Sequence, residues 1–161
     1  MLAVIGKNGE KYRAIYNRYY HYSIEEVWAI LTENDHLKNW MSNLQVEELR
    51  KNGRIKFFMN DGTNESIDMK IMEYDPLFLL QFEWGEGSVR FELAAEEGGC
   101  FFQLKEYIEE LNDHAAKDLA GWHECLELFE ALLKGQKLDF SMERWENWHK
   151  EYRRVLKRFI E

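Results

Sequence analysis

The segment Phe102-Gln103-Leu104-Lys105-Glu106 alternates apolar and polar residues until its last position, where an acid stands in an apolar place. If Phe102 and Leu104 point inward, strand alternation turns Glu106 inward as well. A carboxyl group there loses water, its pKa is driven upward, and it can act as a general acid or base or bind a ligand hydroxyl. The competing reading leaves Glu106 solvated at the strand end. Acid–base chemistry also needs a second polar group facing Glu106; Tyr16, Tyr20 and Tyr107 are candidates whose facing the sequence leaves open.

Other reactive residues do not assemble. His123, Glu124 and Cys125 are consecutive, and on a helix neighbours point about 100° apart, too far to converge on one metal. His21, His36, His114 and His149 are scattered over different elements. The chain carries no nucleophile elbow, Gly-rich phosphate loop or paired Cys motif. No metal and no cofactor are expected.

The elements that would position Glu106 are short strands punctuated by turn chemistry. Lys11 to Tyr20 reads as a first strand, with a partner at Leu2 to Ile5 if Asn8-Gly9 turns the chain. Ser23 and Glu26 form a capping box opening a helix from Ile24 to Thr32, and Asn34 or Asp35 can cap a second short helix toward Trp40. Strands follow at Leu44–Leu49, Arg54–Met59, Glu65–Glu73, Leu77–Trp84, Ser88–Ala95 and Cys100–Ile108. Asn52-Gly53, Asp61-Gly62, Asp75-Pro76, Gly85-Glu86-Gly87 and Gly98-Gly99 separate them, and such short links imply antiparallel neighbours. From Ala115 to Lys134, Leu119, Trp122, Leu126, Phe129 and Leu133 recur at helical spacing and must face the sheet. Ser141 caps a last helix striped by Trp145, Trp148, Tyr152, Val155 or Leu156, and Phe159.

Composition narrows the function classes. With 161 residues the chain is expected to be one domain with a core of its own. A net charge of −9 repels phosphate backbones and anionic headgroups, so neither nucleic acid nor a membrane surface is an expected partner. Glu143, Glu146 and Glu151 interrupt the basic flank of the last helix, which further weakens a membrane reading. Cys100 and Cys125 have no paired spacing and read as free thiols of a reducing compartment; with no apolar leader or span, the expected location is the cytoplasm. Fifteen per cent aromatic residues fit either a lined cavity or a Trp-rich closed core.

The runs SIEEVWAILTENDHLKNW, YDPLFLLQFEW, VRFEL and AGWHECLELFEALLKG resemble the activator of heat shock protein 90 ATPase-like domain of the START-like helix-grip superfamily. The resemblance covers about Arg13 to Gly135, with landmarks at Arg18, Val27-Trp28, Thr32, Leu37, Trp40, Gly53, Asp75-Pro76, Trp84 and Gly121-Trp122. Ser23 replaces a common Pro, and Glu106 stands where many members carry His. The resemblance implies an α+β helix-grip fold: a curved antiparallel sheet of six or seven strands wrapped around a long C-terminal helix, with two short helices after the first strand. It further implies a cavity between sheet and helix, which in the wider superfamily holds lipids, sterols, polyketides or plant hormones.

The expected division is a helix-grip domain over 1–138 and a helical extension over 139–161, packed on the domain or at a homodimer interface. The expected cavity wall comprises Trp40, Phe57, Met59, Met69, Phe82, Trp84, Phe91, Phe102 and Leu104, with Trp122 and Cys125 from the helix and Glu106 as polar anchor. The expected function is binding of a small hydrophobic molecule, a lipid, polyketide or similar aromatic. A cyclase- or dehydratase-type enzyme and a co-chaperone-like protein-interaction module are the alternatives. A lone domain of this kind is not expected to engage a chaperone.

Overall fold

The turn residues cut the chain where the sequence places them, and in the computed structural model, which describes residues 1–160, eight strands result. They are β1 (Val4–Asn8), β2 (Lys11–Tyr20), β3 (Leu44–Glu48), β4 (Arg54–Phe58), β5 (Ser66–Asp75), β6 (Leu79–Trp84), β7 (Gly87–Glu96) and β8 (Gly99–Ile108). The four helices are α1 (Ile24–Thr32), α2 (Asn34–Trp40), α3 (Asp113–Leu133) and α4 (Met142–Ile160). Glu161, the final residue of the expected extension, lies outside the described residues.

Every strand pairs antiparallel with its neighbours, in the order β1-β2-β8-β7-β6-β5-β4-β3. The count exceeds the six or seven expected because Asn8 pairs with Lys11 across a turn at Gly9, making Val4–Asn8 an edge strand of its own. For the same reason the two short helices follow the second strand rather than the first. Register shifts at Val46/Glu48 and Ile71/Glu73 mark irregularities of the kind that bend a sheet.

Helix α1 starts as its capping box dictates, with Ser23 Oγ accepting from the Glu26 amide at 3.1 Å. Helix α2 differs. Glu33 occupies its cap position without a side-chain bond, and Asn34 instead bridges to the backbone of Val46 at 3.0 and 2.8 Å. An amide with both donor and acceptor satisfied by one extended residue does more as a clamp between α2 and β3 than as a cap.

The long helix α3 lies on the sheet's apolar face. Its Trp122 packs on Trp84 and Phe91 with ring centroids 4.9 and 5.9 Å apart, and its Phe129 meets Trp40 and Phe102 at 5.0 and 5.3 Å. Helix α4 packs along α3 and reaches the sheet as well, Tyr152 against Tyr16 and Phe159 against Tyr12; it buries Tyr152 and Leu156, so Leu156 rather than Val155 continues the stripe. Trp145 and Trp148 of the same stripe are half-buried.

Candidate functional site

Strand β8 alternates as expected: Cys100, Phe102, Leu104, Glu106 and Ile108 are buried and the residues between them are half-exposed. Glu106 is only 4% exposed, and its Oε1 has no hydrogen-bond partner among the described residues. The group facing it is Asp118 of α3, and none of the three tyrosines is hydrogen-bonded to it. Desolvation first, then the charge and hydrogen-bonding reach of Asp118, push the Glu106 carboxyl well above the usual carboxylate range.

Asp118 is half-buried and oriented by Trp84, whose Nε1 donates to both carboxylate oxygens at 3.1 and 3.0 Å. The Trp84 ring is fixed in turn by Phe57 at 5.5 Å and Trp122 at 4.9 Å. Sequence reasoning missed Asp118. Its signal was its place three residues after Ala115 and four before Trp122, on the helical stripe that faces the sheet.

The pair opens into a pocket of about 360 Å³ between the β6–β7 turn, the end of β8 and the start of α3. The turn is tight: Trp84 pairs with Gly87, and Gly85 takes φ of 58°, the glycine-first arrangement favoured in two-residue hairpins. Gly87 is required for a different reason, since a Cβ there would collide with the Tyr107 carbonyl.

The expected tyrosines go elsewhere. Tyr16 is fully buried and donates to the Leu119 carbonyl at 2.8 Å, Tyr20 is buried with its hydroxyl unpartnered among the described residues, and Tyr107 alternates to the half-exposed face of β8, although it contributes to the lining of the same pocket.

Of the expected wall, Trp40, Met69, Phe82, Phe91, Phe102, Leu104, Trp122 and Cys125 are all buried, Phe57 and Trp84 are half-buried, and Met59 is 37% exposed just beyond β4. The buried aromatic rings fill the space between sheet and helix. What remains beside Trp40, Phe82 and Phe91 is about 10 Å³, too little for more than a water molecule. Ligand-sized openings lie at the two ends of α3: the Glu106–Asp118 pocket, and a pocket of about 440 Å³ beside Trp40, Cys125 and Phe140. In the latter Cys125 is no nucleophile, since burial and then Glu124 push its thiol up to about 12.

His123, Glu124 and Cys125 diverge as helix geometry requires, and two of them face α4. Tyr152 Oη lies 2.7 Å from His123 Nδ1 and accepts the Ala3 amide at 2.9 Å. Trp148 packs on the His123 ring at 3.9 Å, and burial lowers that imidazole to about 3. Glu124, fully buried, takes Arg144 Nη2 at 2.8 Å, Arg144 Nε at 3.1 and 3.2 Å, and the Ser141 amide at 2.9 Å. Among the described residues no group of three or more His, Cys, Asp or Glu has the arrangement to hold a metal ion. No helix there is long and apolar enough to cross a membrane.

A family model described as Activator of Hsp90 ATPase homolog 1-like protein matches residues 21–134, which take in α1 through α3 and the Glu106–Asp118 pair. The chain belongs to this family. The Activator of Hsp90 ATPase homolog 1-like fold extends to solved structures of low sequence identity. A conserved protein of unknown function, EF2215 from Enterococcus faecalis, is 21% identical over 97% of this chain and 91% of its own, with a TM-score of 0.85. CalU16 from Micromonospora echinospora is 16% identical over 96% of each chain, with a TM-score of 0.76. The Aha1 dimer from Colwellia psychrerythraea is 21% identical over 75% of this chain and 95% of its own, with a TM-score of 0.63. No curated protein matches this chain. At these identities the likeness establishes the fold, and the site must be argued from this chain's own residues.

Proposed function

We propose that this protein binds a small hydrophobic molecule, of lipid, polyketide or similar aromatic type, whose polar end meets Glu106 and Asp118 while its apolar body lies against Trp84 and Ile108. The observation that carries this reading is a buried carboxyl with an unpartnered oxygen at the inner end of a 360 Å³ pocket. Leaving a buried polar group unmatched costs about 1–3 kcal/mol, a cost a bound ligand can remove. Binding then draws on apolar burial at about 25 cal/mol per Å², less the entropy of ordering the ligand. Because the rings between sheet and helix are closely packed, the ligand sits at the mouth of the grip rather than through its length.

The filled interior agrees with a protein-interaction module too, but that reading gives no role to the Glu106–Asp118 pair. The pair does favour a second reading, a cyclase- or dehydratase-type enzyme. A protonated Glu106 beside an Asp118 oriented by Trp84 supplies an acid and a base within one pocket. Two buried free thiols fit a reducing compartment, and we place the protein in the cytoplasm on that ground.

The test is native mass spectrometry of gently purified protein, followed by a thermal-shift screen against fatty acids, polyketides, flavonoids and sterols. A co-purified mass or a melting shift shared by one chemical class is expected, and Glu106→Gln should abolish it while leaving the fold intact. Unchanged ligand affinity in Glu106→Gln would remove the anchor role. Turnover of the bound compound, lost in both Glu106→Gln and Asp118→Asn, would decide for the enzyme.

A further inference from the structure

The Glu106–Asp118 pocket is strongly acidic. Besides the pair, Glu86, Glu109 and Glu110 line it, and His114 is the one basic residue of its wall. Lys11 Nζ neutralises Glu109 at 2.7 Å, and the carboxylates of Glu86, Glu110 and Asp118 remain. Such a cluster, taken alone, is an ordinary feature of a chain with net charge −9. What makes it a site is Glu106, 4% exposed, lining this pocket with an oxygen that no group among the described residues satisfies.

Resting on the ligand-binding reading above, we infer that the ligand is an organic cation, a protonated amine carried on an apolar or aromatic body, whose ammonium group is bound between Glu106 and Asp118. An ammonium offers donors to both carboxyls at once, which neither an alcohol nor a carboxylate does. Converging acidic walls focus a negative potential that concentrates cations and repels anions. The start of α3 points its positive end toward this region, worth roughly half a charge. Its leading amides are already engaged, however: Asn112 Oδ1 accepts from Ala115 and the Asn112 carbonyl from Ala116. A metal ion would also suit the charge, but the carboxylates and His114 are not grouped to coordinate one. The apolar body of the ligand has Trp84, Ile108 and Ala115 to lie on, two of them strongly buried.

The test is isothermal titration of the full chain at pH 7 with three probes of matched shape: phenethylamine, phenethyl alcohol and hydrocinnamate. Phenethylamine should bind at least about tenfold more tightly than the alcohol, and hydrocinnamate should bind least. Raising the salt concentration should weaken the amine and leave the alcohol unchanged. In the Glu106→Gln/Asp118→Asn double variant the amine should fall to the affinity of the alcohol. Asp118→Asn alone keeps an oxygen for Trp84 Nε1, so it provides a folded variant in which a reduced preference for the amine is expected. Equal binding of amine and alcohol, or a preference for hydrocinnamate, would overturn the cationic ligand while leaving a binding pocket. No binding of any probe, with no melting shift from the lipid and polyketide screen, would overturn both.

Discussion

Helix α3 presents a fully buried glutamate of its own to α4 and faces a second one across the sheet, and the two are treated in opposite ways. Glu124 meets the Arg144 guanidinium and the Ser141 backbone amide, and the guanidinium is itself held by the Asp139 carbonyl, so both Glu124 oxygens are answered. Glu106 meets another carboxyl and leaves an oxygen unanswered beside open space. A buried charge that is matched secures one element against another; a buried carboxyl with an unanswered oxygen on a residue lining a pocket is held ready for something outside the chain. The difference separates the structural half of α3 from its candidate functional half.

The largest expected effect breaks the matched side. Arg144→Ala leaves Glu124 buried without its counter-ion, and the loss should be about 3 kcal/mol in denaturant unfolding at neutral pH, low in the range for buried pairs because the Arg144 side chain is 36% exposed. Unfolding of α4 ahead of the sheet would accompany it. A loss within about 0.5 kcal/mol, the usual size of a surface effect, would mean that α4 is held by its apolar stripe alone.

How much of this was readable beforehand differs along the same division. Alternation of Phe102, Leu104 and Glu106 gives the facing of the buried acid, because a strand period of two depends only on the strand itself. Its partner Asp118 comes from another element, and nothing local distinguishes it from the exposed Lys117 beside it except its helical phase. Likewise Glu124 and Arg144 pair across two helices and a loop, a contact that patterning does not encode. The aromatic wall shows a different limit. Trp122, Phe91 and Phe102 are inward whether they line a cavity or close it, so the sequence gives their direction and only packing reveals that they close it. Asn34 reads as a cap because its side chain suits caps; the same two polar atoms suit the bridge to Val46 equally well.

His123, on the matched side, gives the second prediction. Burial holds its imidazole at about 3, below the ordinary histidine value of about 6.5, so the folded state refuses a proton that the unfolded chain accepts. Stability is thus full above about pH 6.5 and should decline as pH falls, by roughly 2 kcal/mol between pH 6.5 and pH 5. His123→Gln should flatten that limb of the profile. A variant with the wild-type slope would assign the acid sensitivity to other groups.

The unmatched side predicts the opposite slope and, at pH 5, the smallest change. There wild-type Glu106 keeps its proton, and Glu106→Gln exchanges one neutral group for another of the same shape, so the two proteins should differ by no more than about 0.5 kcal/mol. Because the folded pKa is raised, the unfolded chain gives up its proton first; wild-type stability is full below the ordinary carboxylate range and is lost as pH rises through and beyond it. The variant lacks this loss and should become the more stable protein as pH climbs toward neutrality. Asp118→Asn sharpens the point, since it removes the second cause of the raised pKa and keeps the first, desolvation. Its slope should be shallower than that of wild type and steeper than that of Glu106→Gln. If Glu106→Gln follows the wild-type profile throughout, Glu106 is ionised and matched in solution, and the contrast between the two faces of α3 fails.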